Sequence, residues 1–250
     1  MITIKSEREI ELMRHAGMLV SLMHQFIKPY IKEGITTKEL DKLCEKFIQE
    51  HDAVPTEKGY MGYPASICAS VNDTVVHGIP DDYLLKNGDI ITIDVVIGYK
   101  GYQGDAAWTY AVGDVSDENK YLMEHTEKAL YEGIKMVKPG NTIGDISHAV
   151  EVYATDHHLG IVRELSGHGI GREMHEEPEV LNYGKKGTGP KLKPGMVICI
   201  EPMLTYGQRY IYILDDDWTI KTQDGSMAAH YEHTILVTND GYEILTPRLD

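Results

Sequence analysis

The sequence predicts an α/β chain built from two ααβ halves packed about a pseudo-twofold axis. Three observations carry that expectation. Helical and strand-like stretches follow one another as α-α-β and then again as α-α-β. Ile31–Thr36 (IKEGIT) is echoed by Val137–Thr142 (VKPGNT), each heading a helix. Leu85–Asp94 (LKNGDIITID) is echoed by Leu192–Glu201 (LKPGMVICIE), and the two echoes agree on offsets of 106 and 107 residues.

The elements follow in order. Ser6-Glu7-Arg8-Glu9 fits a capping box, and Ile10, Met13, Gly17, Val20 and Ile27 recur near helical spacing, which predicts a helix from 6 to about 28 that stops at Pro29. Thr36 with Glu39 starts a second helix that buries Leu40, Leu43, Phe47 and Ile48. A Gly/Tyr-rich loop spans 54–63, followed by short strands at 64–71 and 75–79 and a hairpin over 85–108. Helices are expected near 117–136 and 142–158. The closing strands are expected near 162–168, 196–204, 209–214, 218–222, 231–238 and 242–245. The whole, 1–250, reads as one catalytic domain with its repeat at about 6–113 and 117–250.

Composition narrows the function classes. A formal charge of −15 repels phosphate backbones and disfavours general nucleic-acid binding. The basic tract Lys185, Lys186, Lys191 and Lys193 reads as a solvated loop. No apolar run reaches membrane-spanning length, and the acidic, amphipathic start is not a signal peptide. Three cysteines without a C-x-x-C pattern argue against disulfides and for a reducing, cytoplasmic setting.

The chemistry gathers on acids in apolar strands. Asp94 lies inside IITIDVVI and Asp105 opens AAWTY, while Glu201 ends VICIE and Glu232 begins EHTILV. The twofold brings all four together, and four carboxylates in a small volume require about two divalent cations. His168 among glycines, His175 in MHEEP and His77 in VVHGIP are candidate ligands or catalytic groups, each with a structural alternative.

The segments GYPASICASVNDTVVHGIP (62–80), GDIITIDV (88–95), GYQGDAAW (101–108), GHGIGREMHEEP (167–178), GMVICIEPM (195–203) and QDGSMAAHYEHT (223–234) resemble, over essentially the full chain, the type I methionine aminopeptidases of the bacterial short form. That resemblance implies the pita-bread fold of peptidase family M24, a central curved antiparallel sheet with helices on its outer face. It also implies removal of the initiator methionine from new polypeptides with a small second residue, by attack of a metal-bridging hydroxide on the first peptide bond. The family's two divalent metals (Co, Mn, Fe, Zn or Ni) carry over to Asp94 on one ion, His168 and Glu201 on the other, and Asp105 and Glu232 as bridges. Glu201 would take the water's proton, His175 would stabilise the oxyanion and His77 would bond the peptide nitrogen. Tyr60, Tyr63, Cys68, Met174 and Trp218 match the methionine pocket.

The resemblance further implies a monomer that meets the N-termini of nascent polypeptides, with transient ribosome contact and no membrane. Three positions depart from the family pattern: Met174 replaces an aromatic, Met61 a histidine, and Glu57 a small residue at the pocket rim. Neither the zinc-finger extension of eukaryotic type I members nor the insertion of type II members is expected here. Two rivals remain at this point, an X-Pro aminopeptidase or dipeptidase of the same fold and a non-catalytic binding protein on the same scaffold.

Overall fold

The computed structural model describes residues 1–249; Asp250, the last residue of the expected second half, lies outside the described residues. Helix α1 (Glu7–Ile27) begins where the Glu9 carboxylate accepts the Ser6 backbone N–H at 2.8 Å, and α2 (Thr37–Glu50) begins with the same device from Glu39 to Thr36. Strands β1 (Val54–Pro55), β2 (Cys68–Val71), β3 (Thr74–Val76), β4 (Ile90–Tyr99) and β5 (Tyr102–Ala111) follow. β4 is the spine of the first half. It pairs antiparallel with β5 along its whole length and with β1 and β2 on its other edge.

The second half opens with α3 (Asp117–Ile134) and α4 (Ile143–Asp156), whose head is capped by Thr142 and Asp145. Short strands β6 (Gly160–Ile161), β7 (Gly167–Gly169) and β8 (Glu176–Val180) lead to β9 (Val197–Ile200) and β10 (Met203–Thr205). The hairpin of β11 (Ile211–Ile213) and β12 (Ile220–Thr222) pairs with β3 of the first half. Then come β13 (Ala228–His230), β14 (His233–Val237) and β15 (Tyr242–Ile244). The exposed lysines 185, 186, 191 and 193 sit in the loop before β9. Among the described residues no helix is long and apolar enough to cross a membrane.

The two sequence echoes meet each other in the same way in both halves. Thr36 bridges Leu84, and Thr142 bridges Lys191. Leu85 N–H donates to Ile35 O at 2.9 Å, and Leu192 N–H to Asn141 O at 2.8 Å. The long antiparallel pairs also match: β9 with β14 and β10 with β13 keep one continuing register, from Val197 opposite Leu236 to Thr205 opposite Ala228. The pair is interrupted only at Glu201–Pro202, where proline has no N–H to give the ladder. The expected strand 196–204 is therefore two strands in one register, with Glu201 level with Glu232.

Two threonine hydroxyls stitch the halves together. Thr234 Oγ1 donates to Asp105 O at 2.8 Å and accepts Asp105 N–H at 3.0 Å. Thr109 Oγ1 does the same for His230, at 2.9 and 3.1 Å. Backbone groups that face the other half thus find partners without a continuous ladder across the seam. Glu232 N–H adds a direct bond to Ala107 O at 2.8 Å. Helix α1 covers β4 and β5 while α3 lies against β10 and β13. α1 comes so close that a Cβ on Gly104 would stand 2.6 Å from Gly17 N, and a Cβ on Gly17 itself would stand 2.3 Å from Leu245 O.

Several expected strands are shorter than drawn. The 64–71 stretch is strand only from Cys68. The 75–79 stretch is displaced to 74–76, because His77 adopts a left-handed φ of 56° that ends the ladder. The 162–168 stretch is strand only at its end, in β7, while β6 falls just before it; 218–222 begins only at Ile220, and 231–238 begins at His233. β8 was not expected, since Pro178 breaks its sequence pattern.

Candidate metal centre

β4 and β5 set the first acids. Asp94 lies opposite Ala107 and Asp105 opposite Val96, so the two carboxylates are diagonal neighbours on one face. The interrupted pair sets the others at its break, Glu201 after β9 and Glu232 before β14. His168 arrives on β7, with Nε2 3.4 Å from Glu201 Oε1 and 3.8 Å from Asp105 Oδ2. Its Nδ1 lies 2.9 Å from Gly169 O, which only accepts, so Nδ1 holds the proton and Nε2 offers its lone pair.

Three groups of potential ligand atoms form here: Asp105, His168, Cys199 and Glu232; Glu201, His230 and Glu232; and Glu57, Cys68 and Asp94. The first two share Glu232. Asp94 falls instead beside Cys68, its partner across β2 and β4.

Electrostatics show how unfavourable this assembly is by itself. Burial, then Glu232, Asp94 and Glu201, push the Asp105 carboxyl well above its ordinary range. Burial, followed by neighbouring carboxylates, does the same to Glu201 and Glu232. Asp105 Oδ1, Glu201 Oε1 and Glu232 Oε1 are buried without any hydrogen-bond partner. Orphaned carboxylate oxygens around a lone-pair imidazole suit divalent cations, which replace the missing donors and offset the repulsion. The residues present fit a metal centre.

The walls of the same cavity, about 550 Å³, carry the other expected residues: Tyr60, Tyr63, Cys68, His77, Met174, His175 and Trp218 all line it. Tyr63 and Trp218 meet edge to face with centroids 5.0 Å apart, and Asp216 Oδ1 accepts the backbone N–H of Trp218 at 2.9 Å. Tyr63 OH donates into the backbone at Ile67 O, 3.1 Å away. His175 packs edge-on against His168 at 4.4 Å, and its Nδ1 is 3.0 Å from Tyr60 OH. Burial lowers the basicity of His175, and burial with His230 and His175 holds His77 at about 4, so His77 is neutral at physiological pH.

Two residues were missed or misplaced by sequence. His230 is fully buried, lies 3.6 Å from Glu201 Oε2 through Nε2, and has no hydrogen-bond partner on either ring nitrogen. The signal for it was register: Asp105 faces Val96 across its ladder, and His230 faces Met203, the residue 107 positions beyond Val96. Glu57 is not at the rim but buried in the cavity wall, with its Oε1 accepting the Cys68 thiol at 3.2 Å. Met61, in contrast, is exposed and outside the cavity.

Known proteins match the chain over nearly its whole length. The chain is 50% identical over 246 residues to methionine aminopeptidase 1 of Bacillus subtilis, covering 98% of this chain and 99% of that one. A crystal structure of methionine aminopeptidase from Rickettsia prowazekii superposes with a TM-score of 0.98 at 45% identity, covering 99% of this chain and 100% of the other. A prolidase from Pyrococcus horikoshii shares the fold alone, at 23% identity and a TM-score of 0.79, covering 98% of this chain and 64% of the prolidase. Metallopeptidase family M24 matches residues 11–239, and with the metal-fitting cluster at the floor of the cavity the chain belongs to that family.

Proposed function

We propose that the chain, as one catalytic domain with an internal repeat, is a methionyl aminopeptidase that removes the initiator methionine from new polypeptides with a small second residue. The observation that carries this reading is the convergence of Asp94, Asp105, His168, Glu201 and Glu232 beneath a cavity walled by Tyr63, Cys68, Met174 and Trp218. The similarity to methionine aminopeptidases over nearly the whole of both chains supports it.

Two divalent cations, drawn from Co, Mn, Fe, Zn or Ni, would supply Lewis acidity and an acidified water. Asp94 would hold one ion, His168 and Glu201 the other, with Asp105 and Glu232 between them. Glu201 takes the nucleophile's proton on its carboxylate. With the Tyr60 hydroxyl, 3.0 Å from His175 Nδ1, acting as donor, the Nε2–H of His175 would be left to bond the carbonyl oxygen as charge develops on it. His77, neutral and held in a strained left-handed backbone, bonds the scissile peptide nitrogen. The polarisable thioether of methionine suits the aromatic and sulfur-lined wall. A monomer in the cytoplasm, in transient contact with the ribosome, completes the reading; the net charge of −15 speaks against general nucleic-acid binding.

Cleavage of Met-Ala-Ser after chelation, followed by add-back of single metals, tests this against the X-Pro reading. Activity should vanish with chelation and return with at least one metal. Asp94→Asn should lower it about 10³-fold or more, with an unchanged circular dichroism spectrum. Cleavage of X-Pro peptides alone would assign the chain to the X-Pro peptidases, and metal-free folded protein that cuts nothing would favour a binding protein.

A further inference from the structure

The N-terminal arm, residues 3–5, reaches the turn that joins His168 to His175. Lys5 Nζ lies 2.6 Å from Glu176 Oε2, with the two side chains only 5% and 14% exposed, the most buried lysine or arginine ion pair among the described residues. Thr3 Oγ1 donates to the same oxygen at 2.7 Å and also bonds Lys5 Nζ. The other oxygen, Glu176 Oε1, accepts the backbone N–H of Arg172 at 2.9 Å and of Glu173 at 3.4 Å. One carboxylate therefore ties the arm to the turn, immediately beside His175.

Further contacts show that the arm is seated there. Lys5 N–H donates to Gly195 O at 2.8 Å, at the entry to β9 and Glu201. Gln103, next to β5's glycine, holds the turn from the opposite side through Gly171 O at 2.9 Å and Arg172 O at 3.0 Å. Gly171 lies against the pair: a Cβ there would stand 2.5 Å from Glu176 Oε1 and 2.6 Å from Lys5 Nζ, so the ends of both side chains would have to shift.

We propose that Lys5 is a positioning residue, whose ion pair with Glu176 holds the turn that presents His175 to the substrate. The inference rests on the aminopeptidase reading for the role of His175, but the latch itself stands on the contacts alone. Removing one partner of a buried ion pair leaves the other uncompensated. Glu176 then turns toward water and releases the Arg172 and Glu173 amides. A group that stabilises only the transition state loses kcat when displaced, with KM little changed.

The test uses full-length, metal-loaded protein. Lys5→Met should lower kcat on Met-Ala-Ser by about tenfold to a hundredfold, with KM within about twofold of wild type. Lys5→Arg, which keeps the charge, should recover most of the loss. In a His175→Ala background, Lys5→Met should cost nothing further, because the group it positions is gone. Hydrogen exchange at the 172 and 173 amides should quicken in Lys5→Met. A wild-type kcat in Lys5→Met, an equal loss in the His175→Ala background, or unchanged exchange would each overturn the proposal. If the wild-type protein cleaves no methionyl peptide, the reaction assigned above fails, and the exchange result alone decides whether Lys5 holds the turn.

Discussion

The β4–β5 pair and the β9/β10–β13/β14 pair share a topology and differ in how they deliver acids. The first is unbroken over ten residues and carries Asp94 and Asp105 within its strands. The second breaks at Glu201–Pro202 and presents Glu201 and Glu232 at the break, level with each other. Glu201 lies 107 residues beyond Asp94, but where Asp94 faces Ala107, Glu201 is level with Glu232, and where Val96 faces Asp105, Met203 faces His230. The acids of the two halves are therefore not equivalent in register. Ala107 leaves space where the other half has a carboxylate, and a buried imidazole replaces an acid where a fifth carboxylate would add to the repulsion. The lesson is that two alike strand pairs present unlike side chains to the cavity by differing at two positions on facing strands.

The sharpest test compares the two residues that share one register position. Asp105→Asn should reduce cleavage of Met-Ala-Ser about 10³-fold or more, because it removes a carboxylate proposed to bridge the cations. His230→Gln should cost about tenfold, the scale of a residue supporting a ligand rather than acting as one. Steady-state kinetics on both variants decide it; equal losses would make the two halves functionally equivalent and remove the asymmetry.

Next in size are the seam hydroxyls. Thr234→Val and Thr109→Val each strip the partner from a buried N–H and C=O, and each should cost about 2 kcal/mol of stability in urea unfolding. If the seam is as symmetric as its hydrogen bonds, the two losses should agree. A near-zero cost for one would show that only one threonine joins the halves.

The smallest expected effect concerns the helix side of the first pair. His24 of α1 stacks on Trp108 at 4.0 Å, with Nδ1 2.9 Å from Tyr110 OH. Burial holds it at about 3 against its ordinary 6.5. Its folded pKa is depressed, so between pH 6.5 and 3 the unfolded chain binds a proton that the folded one does not. Stability should therefore fall as pH drops through that window. Thermal melting from pH 7 to 4 measures the slope, and His24→Gln should flatten it; an unchanged slope would place the proton uptake elsewhere. Tyr131 of α3 packs on His233 in the second half, and because a phenol titrates in the alkaline range, the same variant at Tyr131 removes no group that titrates between pH 4 and 7.

Much of this was legible in the chain. Helix starts at Ser6, Thr36 and Thr142 were readable because capping is local, and the hairpin was readable because alternation and turn chemistry are local. Asp94 and Glu201 stood out as charges in apolar strands next to a repeated turn, and the motif segments pointed to the family. What failed to show was whatever depends on contacts between distant segments. β8 is hidden by Pro178, and the left-handed backbone at His77, next to a Gly78 whose Cβ would stand 2.5 Å from Ala69 O, carries no local sequence signal. Glu57 looks like a surface residue in sequence, yet the fold buries it against Cys68.

The sequence by itself determined the helices, the echoed turns and the acids set in apolar strands, because propensity, periodicity and the cost of burying charge act over short stretches of chain. Tertiary structure alone decided the register that sets His230 against Asp105, the threonine seam, and the reach of Lys5 to Glu176. Those depend on which distant strands lie opposite one another, and a shift of two residues preserves every sequence pattern while changing the residue that faces the centre.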